Sequence, residues 1–463
     1  MKPFSLQGCL ALVAVAGLLP GAGAATANAA RPPNIVYILA DDLGYGDLGC
    51  YGQKLIRTPR VDGLAREGMR FTQHYSGAPS CAPARCVLMT GKHTGHARIR
   101  ANSDRPILPE DATVTEALLR AGYATGVFGK WGLGLKDSTG APWRKGVDDF
   151  LGYLDQTHAH TYYPDYLWRN GRRIEIPENR NGQRRVYSHD LLAGAALDFI
   201  RRNKDRSFFL YGAFTIPHAE VAVPEDSLAE YRGKWPEPKA FAGAKTYAAQ
   251  TEPRAVRAAM ITRLDRDVGR IVDLLDELKL SDNTLVIFTS DNGPITAGGQ
   301  DPEFFDSNGP LRDLKFKLYE GGIRVPFIAR WPGRIAAGSE SQLVSDFADM
   351  FPSFAELAGA NLPAGLDGVS ILPTLFGQQA KQRARDYFYW EAAPQQALRR
   401  GDWKLYRAAP DQPVELYNLA TDIGETTNVA SAHPEITARL TQLLTTSRVE
   451  SVEFPLNRKK KSK

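Results

Sequence analysis

Cysteine is scarce in this 463-residue chain, limited to Cys9, Cys50, Cys81 and Cys86. Cys81 and Cys86, four residues between them, have no second cysteine or histidine pair at ligand spacing to complete a zinc site, and the odd, small set left after export argues against a disulfide framework. Long apolar runs are equally rare. The run Leu10 to Leu19 is too short to span a bilayer comfortably, and no other segment is long and apolar enough. An excess of one charge sign is missing too. The net charge is +5, part of it in the terminal run Arg458-Lys459-Lys460-Lys461-Ser462-Lys463, which reads as a solvated tail. Without a basic stripe and interleaved aromatics, no nucleic-acid partner is expected. Internal repeats and low-complexity tracts are absent.

What is present begins with an export signal. Lys2 precedes the apolar core, and Ala22-Gly23-Ala24 or Ala27-Asn28-Ala29 offers a small-residue cleavage site. Residues 1–29 are therefore read as a signal peptide, and the mature protein as periplasmic or secreted, without stable membrane insertion. Cys9 lies before the apolar core rather than after it, which argues against a lipid-anchored cysteine. Cys50, Cys81 and Cys86 then remain, and a Cys50–Cys86 bridge is left open.

The mature chain is long enough to bury a large core. Asn34-Ile35-Val36-Tyr37-Ile38-Leu39-Ala40 reads as a strand buried on both faces, ending at Asp41-Asp42. Thr284 to Ser290 is a second such run, ending at Asp291-Asn292-Gly293, and Phe208 to Phe214 a third, ending near Pro217-His218. Helical patterns lie between them over Val114 to Ala121, His189 to Asn203 and Ala255 to Leu278. Strands alternating with helices predict an α/β fold with a parallel or mostly parallel sheet covered on both faces. In such sheets sites form beyond the C-terminal strand ends, where the three polar clusters fall. Residues 296–326 read as loops over that site, and Ser345 to Leu357 as a helix. After about residue 380, Tyr387 to Trp390, Trp403 to Arg407 and Val414 to Tyr417 alternate with turns. A helix from Pro434 to Ser447 follows, giving a small antiparallel sheet plus one helix.

Asp41, Asp42, Asp291 and Asn292 supply hard oxygen ligands from two strand ends, which suits calcium or magnesium. Either pair alone is an ordinary turn or cap sequence. Gly44-Tyr45-Gly46-Asp47-Leu48-Gly49 matches the dinucleotide fingerprint, but Asp41 and Asp42 would repel a pyrophosphate there. Gly129-Lys130-Trp131-Gly132 is not a phosphate-binding loop, since Trp131 stands where Ser or Thr is needed. Thr157-His158-Ala159-His160 sets two histidines two apart, and an extended segment would point both the same way.

Cys81-Ala82-Pro83-Ala84-Arg85, followed by Leu88-Met89-Thr90-Gly91, resembles the sulfatase family, whose signature is Cys-x-Pro-x-Arg and then Leu-x-Thr-Gly. The resemblance implies an alkaline-phosphatase-like fold and a cysteine oxidised to formylglycine by a maturation enzyme. It also implies hydrolysis of a sulfate monoester, carbohydrate or aryl, through the hydrated aldehyde at Cys81. One divalent cation, calcium with magnesium as the alternative, would sit on Asp41, Asp42, Cys81, Asp291 and Asn292. Lys130 would contact sulfate and formylglycine, Arg85 would hold the hydrate, and His218 would donate to the ester oxygen. Lys315, four residues before Tyr319-Glu320-Gly321-Gly322, has the offset of the family's second sulfate-binding lysine and is favoured over Lys317.

Family members commonly carry histidine two residues after the first lysine; here that residue is Gly132. His158 or His160 is expected to supply the missing base. On this reading residues 30–379 form the catalytic domain, 380–457 a small C-terminal α+β subdomain and 458–463 the basic tail. A phosphonate or phosphate monoester hydrolase of the same superfamily, or a non-catalytic binder of sulfated glycans, are the alternatives.

Overall fold

The computed structural model describes residues 31–244 and 246–457, together with residues 1, 3 and 4. The rest of the export segment, with Cys9, and the tail 458–463 lie outside the described residues. In chain order the strands are Asn34–Ala40 (β1), Met69–Phe71 (β2), His74–Tyr75 (β3), Ala124–Lys130 (β4), Asp149–Tyr153 (β5), Tyr166–Arg169 (β6), Arg172–Glu175 (β7) and Phe208–Ala213 (β8). They continue as Thr284–Ser290 (β9), Phe327–Arg330 (β10), Ser339–Ser341 (β11), Ser345–Asp346 (β12), Phe388–Ala392 (β13), Gln395–Arg400 (β14), Trp403–Arg407 (β15) and Val414–Asn418 (β16).

Ten strands form one sheet in the order β11-β2-β10-β9-β1-β8-β4-β5-β6-β7. The centre, β9-β1-β8-β4-β5, is parallel, while β10 on one flank and β6 and β7 on the other run antiparallel to their neighbours. Side chains alternate across β1 as the two-residue period requires. Val36, Ile38 and Ala40 enter a core shared with the helices Ser188–Asn203 and Pro253–Glu277. Ile35, Tyr37 and Leu39 enter a second core with Cys81–Thr90, Val114–Arg120 and Met350–Ala358. The expected class, a mostly parallel sheet between helices with a separate antiparallel sheet, is what the chain adopts.

One expectation changes, and a question left open is answered. Ser345–Asp346 pairs with β3 instead of starting a helix, because the Asp346 carboxylate caps Ala348 N–H at 2.9 Å and delays the helix to Met350. Cys50 and Cys86 are free thiols, so the bridge left open above is not formed. They pack into the two cores on opposite faces of the sheet. The Gly44–Gly49 stretch, already set aside as a dinucleotide loop, is instead packed against protein: Gly46 N–H donates to Ser307 C=O at 2.7 Å, and the Asp47 carboxylate is paired with Arg257 at 2.6 Å.

The C-terminal sheet is an antiparallel meander, β13-β14-β15-β16, with the helix Pro434–Thr446 against it. It is fastened beside the main sheet by a buried charge cluster. Lys404 on β15 donates to Glu320 at 2.8 Å and lies 2.9 Å from Glu425, and Tyr75 O–H donates to Glu320 at 2.7 Å. Burial alone would raise Glu320, but Lys404, Arg324 and Arg399 hold its carboxyl down at about 2. Lys404→Met should leave two buried carboxylates without their shared cation. Chemical denaturation is expected to show a loss of about 3–5 kcal/mol.

Candidate active site

Four neighbouring parallel strands, β9, β1, β8 and β4, deliver the polar residues to one edge of the sheet. Asp41 and Asp42 follow β1, Asp291 and Asn292 follow β9, Lys130 closes β4, and His218 lies in the loop after β8. The strand ends are tied by Asp291 N–H to Ala40 C=O at 3.1 Å and Asp42 N–H to Asp291 Oδ1 at 3.2 Å. Asp42 takes a left-handed φ of 65°, an uncommon conformation for a non-glycine residue.

Cys81 is the first residue of the fully buried helix Cys81–Thr90, after an extended Ser80. The positive pole of that helix therefore points at the carboxylates. Arg85, one turn further on, lies on the same face. Its two terminal nitrogens donate to Lys130 C=O at 2.6 Å and to Asp291 at 2.8 Å, the second also lying 3.3 Å from Asp41. Lys130 Nζ donates to Asp41 at 2.8 Å. Lys315 Nζ donates to Asp42 Oδ1 at 2.5 Å and to Cys81 Sγ at 3.2 Å, whereas Lys317 is exposed. Cys81 Sγ is 3.3 Å from Asp41 Oδ1, and His218 Nε2 is 3.5 Å from Asp42 Oδ2.

The electrostatics follow from burial and from this alternation of charges. Burial would raise Asp41, yet Lys130, His218 and Arg85 pull it well below the carboxylate range. Burial and the Asp41 charge push Asp291 up to about 6. Burial raises the Cys81 thiol, and Asp291 and Asp41 add to this against Lys130 and Lys315, which keeps a plain cysteine here in its protonated, unreactive form. Burial lowers His218 to about 4 despite Asp42 and Asp41.

The two loop histidines separate. His158–His160 is a single 3-10 turn, not an extended stretch, so residues two apart diverge. His158 stacks on Tyr166 at 4.3 Å and meets the edge of Tyr153 at 4.9 Å, and it is not brought into the cluster. His160 stacks on His218 at 5.0 Å with ring planes 17° apart. Tyr247, absent from the sequence reading, reaches His160 at 5.0 Å and His218 at 6.4 Å from a loop tied by Phe241 and Gln250. Gln156, against Gly132, was also missed.

Asp41, Asp42, Cys81 and His218 offer ligand atoms within 4.8 Å of one another. Two buried acceptors in this region, Asp42 Oδ2 and Asn292 Oδ1, have no hydrogen-bond partner, and their residues are joined by Asn292 Nδ2 donating to Asp42 Oδ1 at 2.7 Å. Orphaned carboxylate and amide oxygens fit a hard cation. A second group, His93, His96 and Asp367, lies beyond the other end of the Cys81–Thr90 helix. There Gly95 N–H donates to His93 Nδ1 at 3.1 Å, which puts the ring proton on Nε2 and leaves that nitrogen a donor rather than a metal ligand.

Comparison with known proteins gives a consistent result. The family model described as Sulfatase matches residues 33–360, and one described as N-sulphoglucosamine sulphohydrolase, C-terminal, matches residues 312–450. N-acetylgalactosamine-6-sulfatase of Canis lupus familiaris is 32% identical over 84% of this chain and 74% of its own length. Arylsulfatase A of Homo sapiens is 34% identical over 89% of this chain and 87% of its own. The crystal structure of Ps i-CgsB in complex with k-i-k-neocarrahexaose superimposes with a TM-score of 0.76 at 27% identity, covering 90% of this chain and 94% of that one.

Proposed function

Because the chain belongs to the sulfatase family and is a sulfuric ester hydrolase, we propose that it cleaves a carbohydrate or aryl sulfate through formylglycine formed at Cys81. The observation that carries this reading is the position of Cys81. It is buried at a helix N-terminus, between Asp41 at 3.3 Å and Lys315 at 3.2 Å, in a setting that disfavours a thiolate.

One hydroxyl of the hydrated aldehyde attacks sulfur and gives its proton to the Asp41 carboxylate that faces residue 81, forming a new S–O bond as the bond to the leaving alcohol breaks. His218 supplies the proton that the leaving oxygen takes up. Its imidazole is neutral in the resting site, and the negative charge of an arriving sulfate ester favours its protonation. The second hydroxyl then gives up its proton, the carbonyl re-forms, and the C–O bond to sulfate breaks. Lys130 and Lys315 neutralise sulfate oxygens, and Arg85 keeps Asp41 and Asp291 ionised beside them. Asp41, Asp42, Asp291 and Asn292 would hold one divalent cation, calcium rather than magnesium, that adds Lewis-acid stabilisation of charge on the sulfate group. A sugar sulfate is favoured because named relatives act on N-acetylgalactosamine sulfate and a structural relative was crystallised with a neocarrahexaose. Tyr247 offers such a ring an aromatic face.

The reading is tested on the tryptic peptide Phe71–Arg85 of protein made in a host that matures such enzymes. Its mass should be lower by the difference between a CH2SH and a CHO group, and the same protein should release sulfate from an aryl sulfate. An unmodified thiol in an active preparation would overturn the mechanism. Faster turnover of the matched phosphonate would overturn the substrate class. N-terminal sequencing of the exported protein tests removal of residues 1–29; an N-terminus at Met1 would refute it.

His160 is proposed as the base for the second step. His160→Ala should lose about 10²-fold in kcat, while His158→Ala should stay within about twofold, as expected for a residue away from the cluster. Equal retention of turnover by both variants would remove the histidine loop from the chemistry.

A further inference from the structure

Gly132 follows Lys130 and Trp131 with a left-handed φ of 75°, and the backbone there is tied to the end of β5. Trp131 N–H donates to Tyr153 C=O at 2.9 Å and Gly132 N–H to Leu154 C=O at 3.1 Å. This pairing brings Gln156 alongside. A side chain at position 132 would start 2.5 Å from Gln156 Nε2 and 4.0 Å from Arg85 Cδ, so the amide fills the space that the glycine leaves open. Gln156 Nε2 is buried and has no hydrogen-bond partner. The Arg85 guanidinium next to it already faces the buried Tyr211 hydroxyl. A buried amide donor left unpaired costs about 1–3 kcal/mol, so Gln156 Nε2 calls for an acceptor.

Among the described residues no acceptor is placed on Gln156 Nε2. Both terminal nitrogens of Arg85 are committed to Lys130 C=O, Asp291 and Asp41, and Lys130 and Lys315 are committed to Asp41 and Asp42. On the Arg85 side of the site, Gln156 is therefore the neutral donor still free to receive an oxyanion.

We propose that the Gln156 amide is a catalytic oxyanion donor, hydrogen-bonding an oxygen of the sulfate group while it is bound at residue 81. The proposal rests on the sulfatase reading above. As an amide has no titrating proton in the working range, Gln156 can bind and orient this oxygen but cannot shuttle a proton. Proton transfer is thereby left to the histidines.

The test uses the mature enzyme and two probes, an aryl sulfate ester and inorganic sulfate. Gln156→Ala should lower kcat/KM by about 10–100-fold, as for the loss of one oxyanion donor, and weaken sulfate binding measured by calorimetry at least about tenfold. Gln156→Glu keeps the shape, replaces the donor with a negative charge, and should be worse on both readouts while retaining the wild-type melting temperature. Gly132→Ala should mimic Gln156→Ala by pushing the amide aside. In a Gln156→Ala background the same change should cost little more, a coupling that general damage would not produce. Unchanged sulfate affinity in Gln156→Ala and Gln156→Glu would overturn the proposal. So would strict additivity of the glycine and glutamine variants. Failure of the wild type to turn over any sulfate ester would instead overturn the sulfatase reading, and sulfate binding would still judge Gln156.

Discussion

Cys81→Ala is expected to reduce kcat/KM on the order of 10⁵-fold, the scale seen when a covalent nucleophile is removed from an otherwise intact site. The fold should survive, because Cys81 is the first residue of its helix and its Sγ contacts are polar groups that also hold one another. The informative comparison is with wild-type protein made in a host that lacks the maturation enzyme. Its thiol is raised by burial, by Asp291 and by Asp41, so the unmodified protein should be as inactive as the alanine variant. Sulfate release by both preparations is measured against the mature enzyme, with the peptide mass as control. Substantial turnover by the thiol form would mean that cysteine itself is the nucleophile.

Asp42→Asn is the second large effect, about 10³-fold in kcat. The change preserves shape and removes one charge from a balanced set in which Asp41, Asp42 and Asp291 face Arg85, Lys130 and Lys315. That balance leaves the site without net charge, so a bound divalent cation would give it the sign a sulfate needs. Asp42 is where the groups meet: Lys315 and Asn292 both donate to its Oδ1, and His218 faces its Oδ2. The variant should lose its metal in elemental analysis, and wild type stripped with a chelator should fall to a similar rate and recover with calcium. Full activity after verified removal of all divalent metal would sink the cation reading.

Much of this was legible in the residues. β1, β8 and β9 are uninterrupted apolar runs ending in acids or histidine, and that pattern placed three corners of the site. Other parts were hidden for physical reasons. Gly126 and Gly129 break the apolar run of β4, so the strand carrying Lys130 did not read as one. β14 buries Gln396 and Arg399 by pairing them with Tyr389 and Tyr75, and it carries no alternating apolar signal. Tyr247 and Gln156 are ordinary loop residues until the fold sets them against His160 and Gly132. The histidine loop misled because a 3-10 turn and an extended strand are equally compatible with its sequence.

Every residue of the Cys81–Thr90 helix is buried, and the sheet and the loop carrying Lys315 close over its first turn. Once that happens, no other protein can reach residue 81. On the mechanism proposed above, conversion of Cys81 would have a deadline set by the chain's own collapse, and each molecule would meet it or stay inert. The specific activity of a preparation would then be a ratio of two rates rather than a property of the finished fold. Two batches with identical stability and identical structure elsewhere can differ severalfold in turnover because one of them folded faster.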